Sequence, residues 1–427
     1  MHPALVTSLI ATWLCSGGLI QGWGPLYTLL LAEEPTSDGE SKLQVAYQGG
    51  FIALSVFSVV FGLALDRIGP RLTAFLGLLL AVVGNLLMAF TTGLDTVLPA
   101  LACIAGGGIG PYLANMSFGN LTSRPSVYIA VNGALFNFSG FNYMLLALGL
   151  GLTRKSFFLG YAVVAGAAAL MVLLTYPKTA PKKVDPLVDL GDAEEDLLEG
   201  ENDAEADMKA LASGVLGGDT RSVRDCIKDP LLIGCLVFYT VQLFIVSYMG
   251  GAMVSILASK SDDQNLVNVY NNYLYPVLSN GTTTLISPLV GYLIGKRGFT
   301  AVFTVCNITS QAFLMFTFLQ GSIHLQILSL SLYGCQKAFL ITSFFAFLAV
   351  EFPLRINGTL TAFCTAAAAA VGLGTIPLAS ASAKAGTYTV PIIVLAVLTL
   401  PLYGYPIMLN MAARRKASQA RLAQPLL

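Results

Sequence analysis

Long apolar runs alternate with short polar segments along most of the chain. The stretches 72–92 and 156–176 contain no charged residue, and a helix needs about 20 apolar residues to cross the hydrocarbon core of a bilayer. The pattern therefore predicts an all-α membrane protein with twelve membrane-spanning helices, called spans one to twelve below. Their predicted limits are 4–31, 44–65, 72–92, 96–118, 127–152, 156–176, 230–258, 270–294, 299–320, 323–349, 357–381 and 387–411. The first run is too long for the apolar region of a cleavable signal peptide, so we expect it to be a membrane helix.

The spans fall into two sets of six, separated by a hydrophilic segment. This segment carries a run of acids from Asp185 to Asp207, a composition typical of a solvated linker without a core of its own. The chain is therefore predicted to divide into an N-terminal six-helix half, an acidic cytoplasmic linker, a C-terminal six-helix half and a basic cytoplasmic tail. Their limits are 1–176, 177–229, 230–411 and 412–427.

Composition and charge narrow the possible functions. Apolar residues make up 55% of the chain and charged residues 11%, against about 25% charged in an ordinary soluble domain. The net charge is zero, which gives no reason to expect a nucleic-acid partner. The two histidines and seven cysteines do not show the spacing of a metal site, and no nucleophile–base pair is recognisable. We therefore expect no metal, no cofactor and no enzymatic activity, with membrane lipid and a small solute as the partners.

The placement of lysine and arginine predicts the orientation. If the N-terminus is cytoplasmic, 17 of the 23 basic residues fall in cytoplasmic segments, five fall on the other side, and Lys337 lies within a span. Positive charge concentrates on the cytoplasmic side of membrane proteins. Both termini and the linker are therefore predicted to be cytoplasmic. The housing membrane is expected to be the plasma membrane, with an organelle membrane as the alternative.

Two loops at equivalent places in the two halves repeat the same pattern. The loops join spans two and three and spans eight and nine, and their glycines and basic residues align at identical spacing. Matched loops indicate a duplicated transporter fold. The aligned positions, together with flanking residues, are Gly62, Asp66, Arg67, Gly69 and Arg71 in the first loop and Gly291, Lys296 and Gly298 in the second.

The first of these loops resembles the signature loop of the major facilitator superfamily. The resemblance implies two packed halves, alternating access, and a role for Asp66 in holding neighbouring helix ends together. The second loop departs from the signature because Gly295 replaces the acid.

A narrower resemblance extends over most of the chain outside the linker. Gly22-Trp23, the segment 116–121, Phe352-Pro353 and the segment 358–361 are similar to the system-L-type facilitators of large neutral amino acids and to their yeast and protist relatives. The loop after span one, 32–43, departs from this resemblance because it is short, acidic and without cysteine. The substrate therefore need not be the same as that of the system-L-type facilitators.

One ionisable residue lies deep within a predicted span. Lys337 is near the middle of span ten and shares a helix face with Gln326, Ser329 and Tyr333. A charge at this depth must face protein or a water-filled cavity. Lys337 is thus either an anchor for a substrate carboxylate or a structural lysine bonded to carbonyl groups.

Weaker candidates for substrate binding come from polar and aromatic residues on other spans. In the major facilitator superfamily, which the first loop resembles, spans one, four, seven and ten line the central path. The resemblance therefore favours residues on these four spans as substrate-binding candidates. With Lys337, the predicted substrate-binding residues are Tyr333, Trp23, Tyr27, Asn115 and Gln242.

The sequence thus predicts a carrier that passes a zwitterionic, large neutral amino acid down its gradient. None of the 23 acids lies in the middle of a span, and this favours facilitated diffusion over proton coupling. Two alternatives stay open: a carrier of the same fold for a small organic anion, and a membrane nutrient sensor that binds without transporting.

Overall fold

A computed structural model describes residues 3–122, 125–148, 150–179, 221–319, 323–352 and 356–423. Most of the predicted acidic linker, including its basic residues Lys182, Lys183 and Lys209, lies outside the described residues. The described part of the chain consists of helices and their connections. The α-helices are Pro3–Cys15, Trp23–Leu31, Ser37–Phe90, Val97–Met116, Pro125–Phe138, Arg154–Thr175, Val223–Ile227, Pro230–Ala258, Gln264–Val269, Thr282–Phe318, Gln326–Glu351, Asn357–Gly372, Thr375–Ala385, Thr389–Thr399 and Gly404–Ala423.

Shorter helical turns of other types extend or interrupt these helices. The 3₁₀ turns are Gly17–Gly22, Ser117–Leu121, Ser139–Leu146, Ile323–Leu325 and Pro401–Tyr403. The π-helical turns are Tyr270–Leu274 and Val277–Gly281, both in span eight.

The helices agree with the predicted spans. Nine helical segments of the described chain are long and apolar enough to cross a membrane. Two of them, Ser37–Phe90 with 54 residues and Gln264–Phe318 with 55 residues, are long enough for two crossings each. Each turns at a glycine with positive φ, Gly69 (78°) and Gly298 (72°). Residues 125–146 hold span five, so the arrangement is consistent with twelve spans.

Large apolar side chains cover the outside of the helices as well as the core. Leu174, Leu285 and Val163 are 83%, 79% and 68% exposed. A soluble protein rarely exposes so much contiguous apolar surface, whereas in a bilayer these side chains face lipid. The fold is an all-α membrane protein, as the hydrophobic pattern predicts.

The loops that follow spans one and three meet the start of span six on one face of the molecule, called the distal face below. The Arg154 guanidinium binds Glu33 Oε2 at 2.7 Å and the carbonyls of Met88 and Gly93 at 2.9 and 3.2 Å. Lys42 lies near Glu34, Asp38 and Asp95 on the same face, and its hydrogen bond to Asp38 is the main cause of a raised pKa of Lys42. These contacts fix three chain segments of the N-terminal half to one another.

Candidate functional site

A small cavity lies between the two halves, next to the predicted lysine. Its volume is about 50 Å³, which is room for water but not for an amino acid, so the site must widen to take a solute of that size. Its polar lining consists of Gln21, Asn137 and Lys337. Its aromatic lining consists of Tyr47, Phe51, Tyr275 and Tyr333. Its aliphatic lining consists of Leu243, Val246, Leu340 and Ile341.

Lys337 is buried in the wall of this cavity and bonded to neutral groups. Its Nζ donates to Gln21 Oε1 at 2.9 Å and to Asn280 Oδ1 at 2.8 Å, and it lies 5.1 Å from the centre of the Tyr333 ring. The side chain is 6% exposed. No carboxylate lies within ion-pair distance of this ammonium in the described part of the chain. The buried positive charge is therefore stabilised by amide oxygens and a ring face and is not neutralised.

Both amide partners come from irregular turns of their spans. Gln21 belongs to the 3₁₀ turn Gly17–Gly22, which divides span one into two α-helices. Asn280 belongs to the π-helical turn Val277–Gly281 of span eight. Such turns inside membrane helices are frequent at functional sites, and broken spans often carry the substrate sites of transporters.

Glycines bring span one close enough to its neighbours for these contacts. A Cβ on Gly22 would lie 2.1 Å from the Gly140 carbonyl oxygen on span five, and a Cβ on Gly24 would lie 1.9 Å from the Asn271 carbonyl oxygen on span eight. Real Cβ atoms do not approach an oxygen this closely, so a side chain at either position would push span one away. Gly22, which belongs to the Gly22-Trp23 motif, and Gly24 therefore let span one approach closely enough to place Gln21 beside Lys337.

Three tyrosines form the aromatic side of the cavity around span seven. Tyr333 donates to the Val246 carbonyl at 2.8 Å and Tyr275 donates to the Gly250 carbonyl at 2.7 Å. A Cβ on Gly250 would lie 2.3 Å from the Tyr47 hydroxyl oxygen and 2.7 Å from that of Tyr333. The rings therefore converge on Gly250, and the cavity has a polar end at Lys337 and an aromatic wall beside it.

The family is decided by a match over most of the chain. The model of the Major Facilitator Superfamily matches residues 9–377, from span one into span eleven. The chain belongs to the Major Facilitator Superfamily. The family expected from the loop at residues 62–71 is thereby confirmed.

Among curated proteins, this chain is similar to Amino acid transporter 6-1 of Toxoplasma gondii (strain ATCC 50611 / Me49). The two are 28% identical over 217 residues, which are 49% of this chain and 38% of the relative. The match thus spans well under half of the relative's length.

Solved transporter structures share the fold. The human organic anion transporter MFSD10 (TETRAN) aligns with a TM-score of 0.65 at 16% identity, over 95% of this chain and 99% of that one. The nucleoside transporter NupG aligns with a TM-score of 0.63 at 14% identity, over 96% and 98% of the two chains. The peptide transporter POT in complex with alafosfalin aligns with a TM-score of 0.63 at 14% identity, over 97% and 95%. At identities this low, the similarity shows only that this chain shares the fold of these structures.

Of the six predicted substrate-binding residues, Tyr333 and Lys337 line the cavity. Trp23 is fully buried and packs on Tyr27 and Tyr47, with ring centres 5.7 and 5.2 Å away. Tyr27 hydrogen-bonds with Ser255 on span seven. Trp23 thus packs behind Tyr47 in the cavity wall, Tyr27 packs on Trp23, and neither of the two lines the cavity.

The two predicted amides are bonded inside their own halves. Asn115 donates to the Ser8 carbonyl and to Thr12, and its Oδ1 accepts from Tyr176. Gln242 donates to Asn307 and accepts from Gln336. Both amides are fully buried. The structure does not bring them to the cavity, and their contacts are those of helix–helix bonding within each half.

Hydrogen bonds between the two halves cluster toward the distal face. Gln48 Nε2 donates to the Ser247 carbonyl at 3.1 Å, and Ser247 Oγ donates back to Gln48 Oε1 at 2.6 Å. Nearer the distal face, Gln44 donates to Ser255 at 3.2 Å and Tyr388 donates to Glu40 at 2.7 Å. The conformation described is therefore closed at the distal face.

The two repeated loops lie at the opposite ends of their spans, away from these contacts. Asp66 is exposed and makes no hydrogen bond or ion pair with another residue of the described chain. Arg71 donates to the Tyr176 carbonyl at 2.6 Å within the N-terminal half, and Lys296 lies over the Tyr292 ring at 5.7 Å. Among the residues that the structure describes, the helix-end contact that the resemblance implies for Asp66 is not formed.

Gln21, Tyr47 and Tyr275, which line the cavity, and Asn280, which bonds to Lys337, are not among the substrate-binding residues predicted from the sequence. Gln21 directly precedes the Gly22-Trp23 motif, and Asn280 is a polar residue in an apolar span. Those two signals were visible in the sequence. Tyr47 and Tyr275 carried no such signal, since they belong to spans two and eight and reach the cavity only because the halves are closed over it.

Proposed function

We propose that the protein carries a large neutral amino acid across the membrane by alternating access, with Lys337 binding the substrate carboxylate. The observation that carries this proposal is the Lys337 ammonium, which lies in the wall of a cavity between the halves and has no carboxylate within ion-pair distance among the described residues. A single carboxylate supplies the missing counter-charge, and the aromatic and aliphatic wall beside it suits an apolar side chain. The similarity to a protein named as an amino acid transporter supports the same class of substrate.

Transport is proposed to be facilitated diffusion. Within the described spans no aspartate or glutamate lies near the cavity, and the acids that border spans, such as Asp66 and Glu351, lie at helix ends. A carboxylate in that position is the usual carrier of a coupled proton. A solute that moves down its own gradient does not require one.

A second candidate is a carrier of small organic monocarboxylates. One specific observation favours it: no acidic side chain lines the cavity, so the described site offers a substrate's amino group no ion pair. Under this alternative Lys337 plays the same part, and the solute lacks the amino group.

The basic residues support a cytoplasmic position for both termini. The distal face then points away from the cytoplasm, and the contacts there correspond to a state that is closed toward the non-cytoplasmic side. We propose the plasma membrane as the site of action, with an organelle membrane as the alternative.

Uptake into liposomes containing the purified protein tests the proposal. Radiolabelled amino acids and monocarboxylates are offered with and without an imposed proton gradient. We expect saturable uptake of large neutral amino acids that stops at equal concentrations inside and outside. Accumulation above equilibrium under an inward proton gradient would contradict facilitated diffusion. Binding without any flux would favour the nutrient sensor.

A further inference from the structure

The two amide partners of Lys337 differ in how firmly they are held. Asn280 Oδ1 accepts from the ammonium while its Nδ2 donates to the Gln21 main-chain carbonyl at 3.2 Å. An ammonium can only donate and a carbonyl can only accept, so these two bonds fix the orientation of the Asn280 amide. Asn280 is fully buried and does not line the cavity.

Gln21 is held less firmly and faces the cavity. Its Oε1 accepts from Lys337 at 2.9 Å, and its Nε2 makes no hydrogen bond to another residue of the described chain. Gln21 lines the cavity together with Lys337. A carboxylate that enters the cavity therefore meets the ammonium on the side that Gln21 occupies.

Lys337 lies on span ten and Gln21 on span one, so their bond crosses between the halves. The bond from Lys337 to Asn280 stays within the C-terminal half. Exchange of the Gln21 oxygen for a substrate oxygen would thus remove a side-chain contact between the halves and leave the lysine in place.

We propose that Asn280 is a positioning residue that fixes the Lys337 ammonium, and that the Gln21 amide oxygen occupies the place of the substrate carboxylate until substrate displaces it. This inference rests on the proposed function, in which Lys337 binds that carboxylate. Substrate binding and the loss of one contact between the halves are then the same event. Gln21 competes with substrate, whereas Asn280 assists it.

The proposal requires that removal of the two amides has opposite effects on substrate affinity. Gln21→Ala removes the competitor, and the dissociation constant of substrate is expected to fall roughly 3- to 10-fold, the equivalent of one hydrogen bond. Asn280→Ala removes the support of the ammonium, and the dissociation constant is expected to rise by a similar factor. If both residues had only structural roles, both substitutions would weaken substrate binding.

The measurement is titration calorimetry on the purified full chain with L-phenylalanine and with 3-phenylpropionate, which keeps the carboxylate and lacks the amino group. Opposite changes in the two variants support the inference, and changes in the same direction overturn it. If neither probe binds the wild type, or if both bind Lys337→Ala as tightly as the wild type, the proposed function fails together with the inference.

Isosteric variants keep the test decisive if an alanine variant does not fold. Gln21→Glu and Asn280→Asp each place a carboxylate against Lys337, and each is expected to weaken binding more than 10-fold. Gln21→Glu should leave the thermal stability unchanged, whereas Asn280→Asp also loses the bond to the Gln21 carbonyl and should lower it. Undiminished binding in both would overturn the inference. Gln311→Glu is the matched control, because Gln311 Oε1 on span nine accepts from Tyr403 at 2.8 Å and a carboxylate keeps that bond. Its affinity is expected to equal that of the wild type.

Discussion

Gly69 and Gly298 adopt the same backbone conformation, with φ and ψ of 78° and 172° in the first and 72° and 176° in the second. Each lies seven positions after the first glycine of its loop, Gly62 or Gly291. This conformation is accessible essentially to glycine alone. The repeat predicted from the sequence is therefore also present in the backbone.

The two glycines provide a matched pair of substitutions. Both Gly69→Ala and Gly298→Ala introduce backbone strain of about 1–3 kcal/mol. At Gly69 the new Cβ would also lie 2.1 Å from the Lys178 carbonyl oxygen, whereas at Gly298 it would meet nothing within 4 Å. We expect thermal unfolding in detergent to show a larger loss of stability for Gly69→Ala. Equal losses would mean that the contact with Lys178 does not matter.

Arg154 and Lys155 are neighbours with different surroundings. Arg154 is 8% exposed and holds Glu33 and two carbonyls, whereas Lys155 is exposed and lies over Phe90 at 5.7 Å. Since bonds to a charged group contribute about 1.5–3 kcal/mol each, Arg154→Gln should lower the unfolding temperature clearly. Lys155→Gln should change stability by no more than about 0.5 kcal/mol. A comparable loss in both variants would contradict the role given to Arg154.

The paired bonds between Gln48 and Ser247 stabilise the closed distal face. Gln48→Ala removes both and should disfavour the closed state by about 1–3 kcal/mol, so that open conformations become more populated. Spin labels at Ser37 and Lys384, exposed distal positions of the two halves, should then report a longer mean distance than in the parent protein. An unchanged distance distribution would show that other contacts hold the face closed.

The spans could be predicted because each must bury its backbone and present about 20 apolar residues to lipid. That Lys337 is bonded within the protein could be predicted, because a charge among apolar residues must have a partner. Its partners could not, since Gln21 is 316 positions away along the chain and its approach depends on a break in span one. Glycines marked that region without revealing the type of turn. Gln242 is a glutamine like Gln21. Only the packing of the helices shows that Gln21 lines the cavity whereas Gln242 is bonded within its own half.

Conservative replacement of Lys337 separates charge from geometry. Lys337→Arg keeps the positive charge but presents a planar group with different donor directions. We expect this variant to retain part of the uptake, with a raised KM and the same temperature of unfolding. Uptake as low as in Lys337→Ala would indicate that the exact position of the ammonium, and not its charge, is required.

Whether Lys337 holds the substrate carboxylate is measured by the thermal stabilisation of purified protein by L-phenylalanine, compared between the wild type and Lys337→Ala. Lys384→Ala, at an exposed lysine of the distal face, is the matched control and should behave as the wild type. We expect a concentration-dependent rise in the unfolding temperature of the wild type and of the control. We expect no rise in a folded Lys337→Ala protein. Equal stabilisation of Lys337→Ala and the wild type would contradict the assignment of Lys337 as the anchor of the substrate carboxylate.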